Sequence, residues 1–183
     1  MKGFAFRGLR GVALALVALV LSPVSALAAT PAAADPAATA WILSASALVL
    51  LMTLPGLALF YGGLVREKNV LSVLMQCVAI ACVGTVLWLA LGYSLAFSGT
   101  AGFIGDLGKA FLGADPRSAL VGGLPEPVFF LFQTTFAVIT PALIIGAVVE
   151  RARFASVLAF SGLWLLAVYA PVTHWIWGGG WLA

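Results

Sequence analysis

A chain of 183 residues with 63% apolar and only 8% charged residues cannot dress a water-soluble core, because a globular domain carries roughly a quarter charged residues. Of its nine Lys and Arg, Lys2, Arg7 and Arg10 crowd the first stretch, and the remaining six balance six Asp and Glu. No basic stripe is left for a nucleic acid, so that class of partner is set aside and the chain reads as one built for the lipid bilayer.

Residues 1–10 are basic, residues 12–21 are apolar, and Ser22-Pro23 and Ala26-Leu27-Ala28 follow. That order of charged, apolar and small residues is the order of a secretory signal peptide, so residues 1–28 are expected to be cleaved and the mature N-terminus to lie outside the cytoplasm. The rival is an uncleaved transmembrane helix, but about ten apolar residues are too few to cross roughly 30 Å of hydrocarbon. Residues 29–39, rich in Ala and Pro, then form a short extracytoplasmic lead-in.

Charge-free apolar runs recur over residues 40–65, 70–97, 128–149 and 154–177, each long enough for a spanning helix. Only helices satisfy their own backbone in lipid at this length, and the alternation of a barrel strand is missing. The fold class is therefore all-α, a polytopic membrane protein. The links Arg66-Glu67-Lys68 and Glu150-Arg151-Ala152-Arg153 are short and basic, whereas residues 98–127 are long, rich in Gly and Pro, and hold Asp106, Lys109, Asp115, Arg117 and Glu126. The positive-inside rule places the short links in the cytoplasm and the long one outside, in agreement with signal cleavage; orientation alone accounts for these charges. Pro55, Pro141 and Pro171 fall inside spans, where each removes a backbone donor. Trp175-Ile176-Trp177 before three glycines reads as a helix that unwinds at the interface, or as part of an aromatic belt. Cys77 and Cys82, five apart in one span, point to different helix faces and read as small buried residues. No His/Cys spacing resembles a metal site.

Four segments together resemble one family. They are TLPGLALFYGGLVR over residues 53–66 with KNVLS over 68–72, WLALGYSLAF over 88–97, FQTTFA over 132–137 leading to GAVVER over 146–151, and VTHWIWGGG over 172–180. In order and spacing they resemble the first four helices of the ammonium transporter (Amt/Rh) family. The resemblance implies an inner-membrane homotrimer of eleven-helix subunits, each with a narrow pore between inverted halves. It implies channel-type transport of ammonium or ammonia, with no cofactor and no covalent chemistry, and cytoplasmic regulatory proteins as partners. On this reading the chain is a truncated, N-terminal part of the fold. The second gate phenyl, the hydroxyl that assists ammonium binding, the pore histidines and the tail would lie beyond Ala183, so the activity would be incomplete.

Phe132 and Phe136 share a helix face. The resemblance makes Phe136 one of the paired rings that close the outer end of the pore and Phe132 a ring beside it; plain packing is the alternative for any such pair. A stacked apolar plug passes a small neutral molecule and opposes a bare ion. Trp177 matches the vestibule tryptophan that holds an ammonium ion before entry, an indole face being the best natural partner for a small cation. Gln133 adjoins the pore in the motif, or makes a packing hydrogen bond. His174, the sole histidine, lies at the end of the fourth span and reads as structural or interfacial.

An intramembrane enzyme needs polar catalytic groups at depth, and none of these spans carries an acidic residue. A small four-helix structural or adaptor protein is the other alternative. The topology is tested by cysteines introduced at Gly108 and Ala152: they are expected to react with an impermeant thiol reagent from opposite sides of the membrane, Gly108 from outside. Labelling of both from one side would overturn the span count.

Overall fold

The computed structural model describes residues 33–113 and 119–183; the expected signal segment 1–28, the start of the lead-in, Asp115 and Arg117 lie outside the described residues. Four long apolar helices are present: α1 (Pro36–Leu64), α2 (Glu67–Phe97), α3 (Glu126–Val148) and α4 (Phe154–Trp177). Between α2 and α3, a hairpin of two short antiparallel strands, β1 (Leu120–Val121) and β2 (Leu124–Pro125), is the one break in an otherwise all-helical set of described residues. The chain is a multi-pass membrane protein.

Three of the four helices start earlier than the apolar runs, for identifiable reasons, while α4 starts where its run does. Asp35 caps α1 by accepting from the N–H groups of Ala37 (2.9 Å) and Ala38 (3.2 Å), and Pro36 occupies the first helical position, where its missing donor costs nothing. Glu67 opens α2 as a tight 3₁₀ turn, and Glu126 opens α3, where a carboxylate meets the positive end of the helix dipole.

The spans are not uniform α-helix. Around Pro55 the turn Met52–Leu57 widens to π geometry, and the same widening occurs at Trp88–Gly92 and at Leu165–Tyr169, just before Pro171. Each wide turn absorbs a proline or a large ring without leaving the membrane span. Gly92 permits the second case: a Cβ there would stand 2.6 Å from the Trp88 ring. Beyond Pro141, α3 tightens instead. The Ala147 N–H bonds Ile144 O at 3.1 Å, so Leu143 O loses its ordinary helical donor, and the Tyr61 hydroxyl of α1 donates to it at 2.7 Å. The Tyr61 ring crosses α3 over Gly146, where a Cβ would lie 2.3 Å from it.

Helix α2 is central and packs on the other three, while α1 also lies along α3. In lipid, apolar side chains gain little by leaving the surroundings, so close packing holds helices together. Two buried cores lie along α2. One gathers Leu57, Val73, Cys77, Ile80, Ile139 and Ile145; the other gathers Trp88, Tyr93, Ala96, Ala137, Leu165 and Ala170. Cys77 is buried as expected, but Cys82 is exposed rather than buried, because its face of α2 points away from the other helices.

At the end of the bundle that carries the basic links, Glu150 closes a clasp. One carboxylate oxygen accepts from Asn69 Nδ2 (2.8 Å), the Arg66 backbone N–H (3.2 Å) and Arg66 Nε (3.4 Å). The Asn69 bond first, then the two from Arg66, hold the Glu150 pKa down to about 2. A carboxylate depressed in the folded state contributes stability above its unfolded value of about 4.3, and loses it as pH falls through the folded one. The difference in thermal stability between the parent protein and Glu150→Gln, measured in detergent, is therefore expected to be constant from neutral pH to about pH 5 and to shrink toward pH 2. A difference that vanished already between neutrality and pH 5 would contradict the clasp.

Candidate functional site

The first half of α3 presents aromatic rings along one face. Phe129, Phe132 and Phe136 follow at spacings of three and four, so the rings stack up the helix. The Phe132 and Phe136 rings meet edge to face, with centroids 5.0 Å apart and planes at 81°. Thr134 and Thr135 are buried on the bundle side. Their hydroxyls donate back to Phe130 O (2.8 Å) and Phe132 O (2.6 Å), and Thr140 does the same to Phe136 O (2.7 Å). Such back-bonding satisfies hydroxyls within the helix, leaving the aromatic face free of competing polar groups.

The facing wall is the end of α4. Helix α4 stops at Trp177, and the glycines beyond it are there for close approach. A Cβ on Gly178 would stand 1.9 Å from Ala96 O, one on Gly180 would stand 2.7 Å from Trp175 Cα, and Gly179 adopts a positive φ of 85°. The expected unwinding at the helix end is present; Gly178 and Gly180 allow close packing there, and Gly179 allows the left-handed backbone.

His174 explains how this end is held. It is fully buried (0% exposed), with Nδ1 2.9 Å from Ala96 O and Nε2 2.6 Å from Ala101 O. Each ring nitrogen lies within hydrogen-bonding distance of a backbone carbonyl, which can only accept, so a bond forms where that nitrogen carries the ring proton, and His174 does not line the aromatic cleft. Trp175 Nε1 donates to Phe103 O at 2.6 Å, and the Trp181 N–H to Gly102 O at 3.2 Å. The segment after α2 thus wraps the end of α4. Asp106 shapes that segment: its carboxylate accepts from the Ser98 hydroxyl and from the Gly108 N–H at 2.8 Å, which holds its pKa below the usual carboxylate value.

Between the two walls lies an open cleft of about 500 Å³, lined by Val121, Phe129, Phe132, Gln133, Phe136 and Trp177. The structure thus brings together all four residues singled out in the sequence, Phe132, Gln133, Phe136 and Trp177. Trp177 is 62% exposed, so its ring is free to meet a small solute. No lining residue is charged, so a cation here would be met by π faces and one amide. Two lining residues escaped the sequence reading. Phe129 was legible, since it continues the spacing of Phe132 and Phe136. Val121 was signalled by Gly122-Gly123, both with positive φ in the tight turn between β1 and β2. Lys109 and Glu126 also do more than the orientation expected of them: they form a part-buried ion pair at 2.6 Å.

A second cleft, of about 560 Å³, lies at the other end of the bundle beside Tyr61, Gly146, Glu150 and Arg151. Its Tyr61 hydroxyl and Glu150 carboxylate are already engaged, in the Leu143 bond and the Arg66–Asn69 clasp.

Comparison with known proteins places these features in context. The ammonium transporter of Aquifex aeolicus is 44% identical over 178 residues, covering 93% of this chain and 41% of that protein. The ammonium transporter of Bacillus subtilis is 46% identical, with 79% of this chain and 36% of that one covered. Among solved structures, Candida albicans Mep2 superposes with a TM-score of 0.71 at 38% identity, over 81% of this chain and 33% of that one. The chain therefore spans about two-fifths or less of the length of these relatives. The profile of the Ammonium Transporter Family matches residues 40–183, the stretch that holds the four spans and both walls of the cleft, and the chain belongs to that family.

Proposed function

We propose that these four helices form the entrance part of an ammonium or ammonia channel, with the cleft between α3 and α4 as the place where the substrate is first held. The observation that carries this reading is the convergence of Trp177, Phe132, Phe136 and Gln133 on one uncharged, open cleft. An ammonium ion on the indole face gains roughly 0.5–2 kcal/mol, which supports weak and rapidly reversible capture. Phe136, with Phe132 beside it, supplies one ring of an apolar gate that favours passage of a small neutral species over a bare ion, the second ring coming from helices outside this stretch. Gln133 offers the one polar side chain on the path. The chemistry is binding and passage, with no covalent step, no cofactor and no enzymatic activity.

In the whole protein this stretch is one part of a larger subunit, assembled as a homotrimer in the cell inner membrane. The N-terminus and the segment after α2 face outward. The links at residues 66–69 and 149–153 face the cytoplasm, where a regulatory protein would dock. The reading as a small adaptor without transport is not favoured, since the cleft and the family match have no explanation in it.

The test uses a full-length family channel into which residues 40–183 are spliced, reading methylammonium uptake in cells. Trp177→Leu removes the cation-binding face and is expected to lower uptake at limiting substrate by at most about thirtyfold, the equivalent of roughly 2 kcal/mol. Phe136→Ala is expected to retain flux while selectivity against other cations declines. The four helices expressed by themselves are expected to give no uptake. If an inserted, trimeric channel showed unchanged substrate dependence and selectivity in both variants, the assignment of these residues would be wrong.

A further inference from the structure

At the cleft end of the bundle sits a part-buried ionic network that the cleft lining does not include. Glu126 is the first residue of α3 and only 2% exposed. Its Oε1 accepts from Lys109 Nζ at 2.6 Å and from the Tyr93 hydroxyl at 2.9 Å. The Lys109 ammonium also lies 5.9 Å from the centroid of the Tyr93 ring. Its backbone is fixed as well: the Lys109 N–H donates to Ser94 Oγ at 2.9 Å, and the Ser94 hydroxyl donates to Asp106 O at 2.8 Å. Burying two opposite charges in this way is weak evidence for stability, because well-packed apolar residues of the same size commonly do as well. What an ion pair adds is a defined register between the elements it joins.

The elements joined here are the two walls of the cleft. The segment over residues 98–113 is fastened to α4 through His174 and Ala101, Trp175 and Phe103, and Trp181 and Gly102. The same segment is fastened to the first turn of α3 through Lys109 and Glu126. A contiguous set of rings leads from the pair to the cleft. Tyr93 packs on Phe130 at 5.1 Å and on Phe97 at 5.3 Å, Phe97 packs on Phe129 at 5.0 Å, and Phe129 lines the cleft.

We propose that Lys109, Glu126 and Tyr93 are positioning residues of the substrate-capture site, closing the strap that sets the distance between Trp177 on α4 and the phenyl face of α3. The proposal rests on the reading of that cleft as the capture site. It makes the pair a tether rather than a source of attraction for a cation. The two roles differ in sign. A tether fails whichever partner is removed, whereas a field changes in opposite senses when the anion or the cation is lost.

The experiment uses the spliced full-length channel with Glu126→Gln, Lys109→Met, the double variant, Tyr93→Phe, Lys109→Arg and Trp177→Leu, matched for membrane-inserted trimer. KM and maximal rate of methylammonium uptake are measured for each. The tether predicts that Glu126→Gln and Lys109→Met both raise KM by about tenfold with the maximal rate altered less than about twofold, and that the double variant is no worse than the worse single one. Lys109→Arg, which keeps the pair, is expected to restore KM to within about twofold of the parent. A fall in KM for Lys109→Met beside a rise for Glu126→Gln would overturn the proposal in favour of a field effect, and unchanged KM in both would overturn it outright. If neither charge variant inserts, Tyr93→Phe decides: a rise in KM of about two- to fivefold supports the tether, and an unchanged KM overturns it. Trp177→Leu separates the two levels. If it raises KM while the network variants do not, the tether alone fails; if it leaves KM unchanged, the capture-site reading fails and the tether falls with it.

Discussion

Within hydrocarbon, a backbone N–H or C=O without a partner costs several kcal/mol, and no water is at hand to supply one. That constraint governs this chain more than apolar burial does, since lipid is as apolar as the side chains it surrounds. It forces the helices, and it dictates what happens where they are interrupted. The turn at Pro55 and the one before Pro171 widen to π geometry instead of opening. After Pro141 the helix tightens, and a carbonyl left over by the tightening is answered from another helix by the Tyr61 hydroxyl. The side chain that makes this repair needs room, which Gly146 provides. Gly84 and Gly162 play the simpler part of letting α2 approach Val138 and bring Leu87 against α4.

The same constraint operates at the cleft end, where the chain leaves regular helix. The carbonyls of Ala96, Ala101, Gly102 and Phe103 have no helical continuation to bond; those of Gly102 and Phe103 accept from the Trp181 N–H and from Trp175 Nε1, and those of Ala96 and Ala101 flank the two ring nitrogens of His174. In consequence the segment after α2 is a folded part of the site and not a passive connection. His174 belongs to this arrangement. A lone histidine in a membrane span invites assignment to a functional path, yet this ring is buried between the Ala96 and Ala101 carbonyls, where it holds Trp177's helix against the segment.

The four spans were legible because about twenty consecutive apolar residues have no other stable use in a membrane. Their ends were less legible. Polar residues were counted as outside the helices, but Asp35 caps one and Glu126 begins another, each stabilised by unsatisfied N–H groups that hydropathy does not register. In the site, Phe132, Gln133, Phe136 and Trp177 were legible through motif resemblance, and Phe129 through helical spacing. The Lys109–Glu126 pair was not legible, because its members stand seventeen positions apart in a link between two spans and no local pattern brings them together. The close approaches at Gly178 and Gly180 were not legible for a related reason: sequence shows that a side chain is missing, while only the fold shows what occupies the space.

The cleft combines exposed π faces with neutral lining, and the Lys109 and Glu126 charges at the same end of the bundle are paired with each other. That combination has a physical consequence for capture. A carboxylate in the lining would hold a small cation more strongly, but strong holding slows release, and a conduction path requires binding favourable enough to enter and weak enough to leave. With Glu126 occupied by Lys109 and Tyr93, the remaining attraction is that of the indole and phenyl faces, roughly 0.5–2 kcal/mol. An interaction this small depends steeply on placement, because a ring displaced from the ion leaves little else to compensate. If the cleft is the capture site proposed above, rigid placement of the two walls, rather than added charge, is the means by which a weak site stays selective.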